Sequence, residues 1–280
     1  MEIVCENRNG EKMSFGLYGP CWLCAVDGLG AEFNVYTTKN SGQDGVTYNG
    51  SDAAKRNINL SLEMKSEDFL RQRNRIYSFF QKDSEGTLYY YEEEEARKIK
   101  YYVEKITPSG SDSIRDLHIS LICPDPKFYA LNDQLTQLAM WKGCIRFPLR
   151  MKSSFALTKK INQLIGNVQN DSSVTMGLIV KFTASGLVVN PSLYDVNRHD
   201  LMKINATMHA GDQIVITTGD GSKRAKFISG GVSTNINNLM GYPPKWLQAY
   251  QGDNLFRYDA DSGIDNLSVS ILSTPSYWGA

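Results

Sequence analysis

The stretch KIKYYVEKI, residues 98–106, alternates apolar and polar side chains, which is the pattern of a β-strand with one buried face. A second alternating stretch follows at residues 117–123. The apolar positions of the two stretches are Ile99, Tyr101 and Val103 in the first and Leu117, Ile119, Leu121 and Cys123 in the second. The turn-forming residues Thr107–Ser111 separate them, so we predict that the two strands form an antiparallel pair.

The residues before this pair predict one helix, from Ser66 to Gln81. Ser66 is a suitable N-cap, and Glu67 and Asp68 lie where the helix dipole favours negative charge. Large side chains repeat at helical spacing along one face, which we interpret as core packing and not as a ligand site. They are Phe69, Arg73, Ile76 and Phe80, with Leu70 and Tyr77 beside them.

An aromatic strand and an acidic run connect the helix to the first alternating stretch. Thr87–Tyr91 includes three consecutive tyrosines and predicts a strand. Glu92–Glu95 is a run of four carboxylates, which is more stable in water than in any core. We therefore predict that this run forms the exposed tip of a hairpin.

Charge divides the chain into two parts. The whole chain of 280 residues has 30 basic and 30 acidic residues, but residues 1–125 have a net charge of −5 and residues 126–280 a net charge of +5. All the acids of the second part are Asp, which favours turns over helix. Pro124 and Pro126 suit a boundary. We predict two domains, 1–125 and 126–280.

The second part predicts a β-sandwich of short antiparallel strands with little helix. Turn residues separate the strands, and two hairpins are predicted, at Gly219–Ser222 and at Asp259–Gly263. The predicted strands are Met176–Phe182, Gln213–Thr218, Lys223–Ile228, Leu255–Tyr258 and Leu267–Leu272.

Composition narrows the function. A net-neutral chain has no overall field to attract nucleic acid or an anionic membrane, so neither is expected as a partner. No apolar run is long enough for a transmembrane helix, and the N-terminus lacks the pattern of a secretory signal. Five cysteines, an odd number, do not make a complete disulfide framework. We expect a soluble protein made in a cytoplasm.

The search for chemical motifs gives no catalytic, cofactor or metal site. Cys21 and Cys24 form a CxxC motif, but a structural zinc needs a second such pair and a redox site needs a βαβ context. We interpret this segment as a loop or short strand. The three histidines are scattered, and Gly28-Leu29-Gly30 lacks the third glycine of a dinucleotide fingerprint. We expect no enzyme, no cofactor and no metal.

The order of features along the whole chain resembles the distal tail protein family of long, flexible-tailed bacteriophages and prophage-derived particles. Each motif is weak alone, and the series carries the resemblance. The series is RKIKYYV at 97–103, Leu117 to Cys123 followed by PDPKFY, Asn190-Pro191, GDQIVI at 211–216, the Gly219–Gly221 turn, PKWL at 244–247, GDNLFRY at 252–258 and Leu267–Leu272. Segment 19–50 does not match the pattern.

The resemblance implies a mainly β protein in two parts. The N-terminal part would be a β-sandwich-like, ring-forming domain with one helix and an extended hairpin, usually in six copies. The C-terminal part would be a galectin-like or jelly-roll β-sandwich. Such proteins form a hub in the virion tail tip, made in the host bacterial cytoplasm, that joins the tail tube to the host-adsorption apparatus. Implied partners are further copies of the chain, the major tail protein, the tape measure protein, the tail-associated hub protein and a receptor-binding protein.

Two surfaces are predicted to make contacts. We hypothesise that the segment around residues 89–103 pairs or packs against a neighbouring subunit, because tyrosine is enriched at interface anchors. A hairpin packed on its own domain is an equal alternative. The candidate interface residues are Tyr89, Tyr90, Tyr91, Arg97 and Lys98.

The alternative function is a carbohydrate-binding module for cell-wall polysaccharide, because sugar rings stack on exposed aromatic faces. Buried sandwich aromatics are the simpler interpretation of the same residues. The candidate contacts in the second part are Tyr242, Trp246, Tyr250 and Trp278. A wall hydrolase is a third alternative, although no pair of carboxylates is singled out.

Overall fold

The computed structural model describes residues 1–16, 21–65, 68–110, 114–143, 158–162 and 165–280. It divides into two compact units, Met1–Leu131 with Tyr277–Ala280, and Asn132–Ser276. The sequence placed the boundary at 125/126, six residues earlier. The prolines at 124 and 126 end a strand, but residues 128–130 then form another strand of the first unit.

The first unit contains one helix, α1 (Phe69–Phe79), and most of its sheet lies within residues 1–130. Its strands are β1 (Glu2–Glu6), β2 (Lys12–Phe15), β3 (Trp22–Asp27), β4 (Asn34–Thr38), β5 (Thr47–Asp52), β6 (Arg56–Lys65), β7 (Glu85–Glu92), β8 (Glu95–Gly110), β9 (Ile114–Cys123) and β10 (Phe128–Ala130).

One antiparallel sheet in the order β2-β1-β7-β8-β9-β6-β3 forms most of this unit, and β10 pairs with the beginning of β8. A bridge between Gly16 and Trp22 joins the ends of the two edge strands, β2 and β3. The sheet therefore curls back on itself around one core, and helix α1 packs against that core.

Alternating strand residues and one face of α1 make the first core. Phe80 lies between the rings of Phe15 and Tyr101, with ring centroids 6.3 and 5.9 Å away. The inward positions Ile99, Tyr101, Leu117, Ile119, Leu121 and Cys123 are buried, and Val103 at the end of the first stretch is half-buried. The prediction from the two alternating stretches is thus confirmed, because β8 and β9 are neighbours in an antiparallel ladder.

The predicted turn between β8 and β9 is wrong in position. Thr107–Gly110 continue β8 and pair with Arg115–His118 of β9. Both strands simply extend further than the turn-forming composition suggested. The end of the hairpin, including Ser111, lies outside the described residues.

The helix is confirmed in type and shortened in extent. α1 begins after Asp68, and the predicted N-cap Ser66 and Glu67 lie outside the described residues. Phe69 and Ile76 are buried as expected. Leu70 and Tyr77 are 61% and 41% exposed, so the inward face is narrower than the one predicted.

The acidic hairpin tip is confirmed. Glu92 at the end of β7 pairs with Glu95 at the start of β8, which leaves Glu93 and Glu94 as a two-residue turn. All four side chains are exposed.

The second unit is a sandwich-like pair of antiparallel sheets with short 3-10 turns, as predicted. Its strands are β11 (Gln134–Gln137), β12 (Ala139–Gly143), β13 (Thr158–Asn162), β14 (Ile165–Asn170), β15 (Met176–Ala184), β16 (Val188–Asp195), β17 (Asp200–Lys203), β18 (Thr207–Met208), β19 (Gln213–Thr217), β20 (Arg224–Ser229), β21 (Val232–Asn235), β22 (Gln248–Ala249), β23 (Gly252–Ser262) and β24 (Leu267–Ser273). A final strand, β25 (Ser276–Tyr277), pairs with β10 in the sheet of the first unit.

One sheet has the order β11-β24-β15-β19-β20-β21 and the other the order β14-β23-β16-β17. Side chains from both sheets, among them Phe182, Ile216 and Phe256, form one buried core. β12 pairs with β13 in a separate two-stranded sheet. The mainly β prediction is confirmed for both units.

Of the two predicted hairpins in this unit, one forms. β19 and β20 pair as expected. Asp259–Gly263 does not close a hairpin, because β23 continues to Ser262 in one sheet and β24 belongs to the other. Gly263 makes the crossing possible, since its φ is +78° and a Cβ there would lie 2.0 Å from the carbonyl oxygen of Leu187.

Candidate assembly surfaces

The hairpin β4–β5 is an exposed arm of the first unit. Its two strands pair only with each other among the described residues. Every residue of β4 is exposed, and so are apolar side chains of the arm, with Val35 59% and Tyr48 63% exposed. A two-stranded hairpin with no buried face is marginally stable in water. The described part of the first unit therefore leaves apolar surface of this arm uncovered.

The last four residues of the chain hold the base of this arm. The ring of Trp278 meets the ring of Phe33 edge to face at 5.2 Å, and Phe33 immediately precedes β4. The backbone N–H of Ala280 donates to the carbonyl of Leu29 at 3.0 Å. Residues 29–33 are thus packed against Tyr277–Ala280 within the first unit.

Arg56 joins the same segments through their backbones. Its Nη1 donates to the carbonyls of Gly28, at 2.6 Å, and Gly30, its Nη2 donates to the carbonyl of Trp278, and its Nε donates to that of Pro126 at 2.8 Å. Arg56 is only 8% exposed, and burial lowers the pKa of its guanidinium. Four carbonyl oxygens solvate this buried cation in place of water.

The candidate interface residues Tyr89–Tyr91 of β7 and Arg97 and Lys98 of β8 lie on strands that are paired on both sides at these positions. β7 pairs with β1 on one side and β8 on the other, and β8 pairs with β7 and β10 there. Strand pairing between these residues and a neighbouring subunit is therefore not available. Packing through their side chains stays a prediction.

The three tyrosines of β7 point to different faces. Tyr90 is buried in the core of its own unit, and its hydroxyl donates to the Glu92 carboxylate, which raises the pKa of Tyr90 to about 12. Tyr89 and Tyr91 are half-buried on the other face, with ring centroids 6.5 Å apart. Only Tyr89 and Tyr91 can therefore present their rings to another molecule.

Arg97 and Lys98 bind their own unit. Arg97 donates to the carbonyl of Gly279 at 2.5 Å, pairs with Glu95 at 2.5 Å and lies over the ring of Tyr277. Lys98 donates to the carbonyl of Leu131 at 3.1 Å. These two side chains secure the chain's last residues and the end of β10, a role that their sequence positions did not indicate.

The four aromatics proposed for carbohydrate contact do not share one surface. Trp278 belongs to the first unit, which corrects its assignment to the second part. Trp246 packs against the sandwich core, and the ring of Tyr250 is covered by Arg198 at 3.5 Å. Tyr242 is 97% exposed. Carbohydrate contact stays a prediction that Tyr242 supports best.

The CxxC motif lies at an irregular sheet edge. Cys21 is buried just before β3, and Cys24 lies at a register shift in β3, where its thiol donates to Glu63 at 3.4 Å. Burial, and then Glu63, raise the pKa of the Cys24 thiol. Among the described residues no three acidic, histidine or cysteine side chains are placed to hold a metal ion.

Comparison with known proteins gives a family match within the first unit. Residues 8–123 match the family model described as the phage tail protein RIFT-related domain. No curated protein matches the chain. The helix in the described part of the chain is too short and too polar to span a membrane.

Solved structures extend the likeness to the whole chain. SPP1 Dit (gp 19.1), titled a paradigm of the hub adsorption apparatus in phages that infect Gram-positive bacteria, matches with a TM-score of 0.70 at 12% identity, over 98% of each chain. A chain of the phage P2 baseplate in its activated conformation with Ca matches with a TM-score of 0.50 at 11% identity, over 98% of this chain and 97% of that one. Residues 8–123 are therefore similar to the phage tail protein RIFT-related domain, and the chain as a whole has the fold of SPP1 Dit, as the order of its motifs predicted.

Proposed function

We propose that this chain is a structural component of a phage or prophage-derived tail tip, where six copies form a ring that joins the tail tube to the host-adsorption apparatus. The fold shared with a phage hub protein supports this role. The proposed partners are further copies of the chain, the major tail protein, the tape measure protein, the tail-associated hub protein and a receptor-binding protein. The protein acts by assembly and not by catalysis.

The observation that carries the proposal is the exposed arm β4–β5. Subunits in a closed ring contact each other head to tail. Each subunit therefore needs two different surfaces, one that docks on the next subunit and one on which the previous subunit docks. The arm is suited to be the docking surface, because β4 and β5 form hydrogen bonds only with each other among the described residues and because their apolar side chains are exposed to water. The contacts that Arg56 and Phe33 make with Trp278 hold the base of the arm in place. The arm therefore loses less conformational entropy when it docks on a neighbouring subunit.

Particle mass tests the proposal. The wild-type chain of 31.4 kDa is expected to assemble to six times that mass in light scattering, alone or with the major tail protein added. Replacing Val35 and Tyr48 together by Ser is expected to reduce the particle to monomers without lowering the free energy of unfolding by more than about 0.5 kcal/mol, because both side chains are already exposed.

Val232→Ser is the matched control. Val232 is 68% exposed in β21 of the second unit. Its substitution by Ser therefore removes exposed apolar surface at a position away from the arm. It is expected to leave the particle mass unchanged. A ring that survives the arm substitutions, or a wild-type chain that stays monomeric with the major tail protein present, would contradict the proposed function.

A further inference from the structure

The outer edge of β2 lines a groove. A cavity of about 250 Å³ lies between this strand and helix α1, and its lining includes four consecutive residues of β2, Lys12–Phe15. β1 occupies the inner edge of β2. Among the described residues, the outer edge has no partner strand, and its nearest contact is the bridge from Gly16 to Trp22 just beyond its end. Free backbone N–H and C=O groups on such an edge are a template for an added strand.

The opposite wall of the groove is helical and cationic. Gln72, Arg75 and Ile76 of α1 face the cavity, and Cys21 closes one end. α1 contains three arginines and no acid. No carboxylate of the described residues lies within ion-pair distance of Arg75. No acidic residue lines the cavity.

The floor and the rim of the groove differ in polarity. Phe15 and Ile76 are buried and form an apolar floor. Lys12 lies on the rim, 60% exposed, where Glu6 is 3.5 Å away. A strand placed here would direct alternate side chains to the floor and to the cationic rim, because successive side chains of a strand point to opposite faces.

We propose that this groove binds an extended segment of another polypeptide, in which apolar and acidic residues alternate, as a strand added to the edge of β2. Backbone hydrogen bonds to β2 would supply affinity, and Arg75 would select acidic side chains, since Lys12 already pairs with Glu6.

A second copy of the chain fits the groove less well. The chain's longest acidic run, Glu92–Glu95, is already the tip of a hairpin with both strands paired. Two copies that paired through β2 would bring two Arg75 side chains together, and like charges oppose such a contact. The partner is therefore a different protein, and this inference does not depend on the ring.

A peptide titration tests the inference. The probe is the peptide Ser-Glu-Val-Glu-Val-Glu-Ser, added to the full-length chain and followed by calorimetry at low salt. It is expected to bind, and its counterpart with Lys in place of Glu is expected to bind at least about tenfold more weakly. Arg75→Glu is expected to weaken binding of the acidic peptide by about tenfold or more, and Arg75→Gln by less. Arg8→Glu is the control, because Arg8 is exposed and lies outside the groove.

Two N-methylated peptides test strand addition itself. Alternate N–H groups of a strand point to opposite sides, so methylating one alternate set blocks pairing with β2 and methylating the other set does not. A difference of about tenfold between the two peptides is expected.

Three peptide-binding results would overturn the inference. They are no binding of the acidic peptide at millimolar concentration, equal binding of the two methylated peptides, and equal binding to wild type and Arg75→Glu. A wild-type oligomer that falls to monomers in Arg75→Glu would assign the groove to a second copy and also overturn it. Ring mass measured without peptide reports separately on the proposed function.

Discussion

Gly28 shows how one residue fixes the base of the arm. Its φ is +86°, and a Cβ at this position would lie 1.9 Å from the carbonyl oxygen of Asn57. Its own carbonyl accepts from Arg56 at 2.6 Å. Gly28→Ala is expected to lower the free energy of unfolding by about 2 kcal/mol or more, through the clash and the left-handed backbone together. Urea denaturation measures the loss.

Gly30→Ala is the matched control for Gly28→Ala. A Cβ at Gly30 would meet no atom within 4 Å, and its φ lies outside the left-handed region. The substitution is expected to change the free energy of unfolding by less than about 0.5 kcal/mol. If both variants lost the same free energy of unfolding, the close approach to Asn57 would not be the reason that position 28 requires glycine.

At this scale the sequence predicts which side of a strand a residue faces better than what it binds. Alternation alone places Tyr90 on a different face from Tyr89 and Tyr91, as the structure does. The partners of Arg56 are backbone carbonyls, one of them 222 residues away at Trp278. Carbonyls occur at every residue, so no side-chain pattern could mark Arg56 as the residue that holds them.

Helix α1 offers a test of element packing. Ile76 is 1% exposed in the first core, and Leu70 on the same helix is 61% exposed. Ile76→Ala is expected to lower the free energy of unfolding by about 2–5 kcal/mol, because it removes buried methylene groups and leaves a cavity. Leu70→Ala is expected to change it by less than about 0.5 kcal/mol. Comparable losses in chemical denaturation would contradict the orientation of the helix.

The sequence predicted those elements that bury one face. β8 and β9 show period-two apolar alternation because the first core covers one side of each. β4 and β5 have no covered side, so selection for burial leaves no alternation in their sequence. This explains why the sequence analysis predicted no strand at β4 or β5. The arm that we propose for assembly is therefore an element whose sequence carries little folding signal.

The whole molecule is expected to lose stability in acid. Contacts lower the pKa of four carboxyl groups, two in each unit. Lys100 acts on Glu85, Ser120 and Asn57 on Glu104, Ser229 on Asp212, and Lys203 on Asp261. A lowered pKa means that the unfolded chain binds more protons, so the stabilisation is present above the ordinary pKa values, near 4, and is lost as pH falls below them.

Thermal denaturation between pH 6 and pH 3 checks this expectation. The midpoint should fall with pH, and Glu104→Gln should make the fall shallower, because it removes one of the four groups. Asp171→Asn is the control, because Asp171 is exposed and is not one of these four groups. A midpoint that stays constant down to pH 3 would contradict the assignment.

Domain organisation was predictable only in part from the sequence. The charge difference and the prolines near residue 125 lie close to the boundary at Leu131, because the prolines end β9 and only the short strand β10 follows before the boundary. The return of Tyr277–Ala280 leaves no such mark. Trp278 was consequently assigned to the second part, although its carbonyl and ring bind the first.

Because Tyr277–Ala280 belong to the first unit, that unit is completed after the second unit has been synthesised. A ribosome that has translated residues 1–131 has made nearly all of the first unit, but the side chain that packs on Phe33 does not yet exist. The second unit, Asn132–Ser276, can close before the first is sealed. The base of the arm is therefore locked only after translation reaches residue 280, so a nascent chain that has not yet passed that point presents an arm without its anchor.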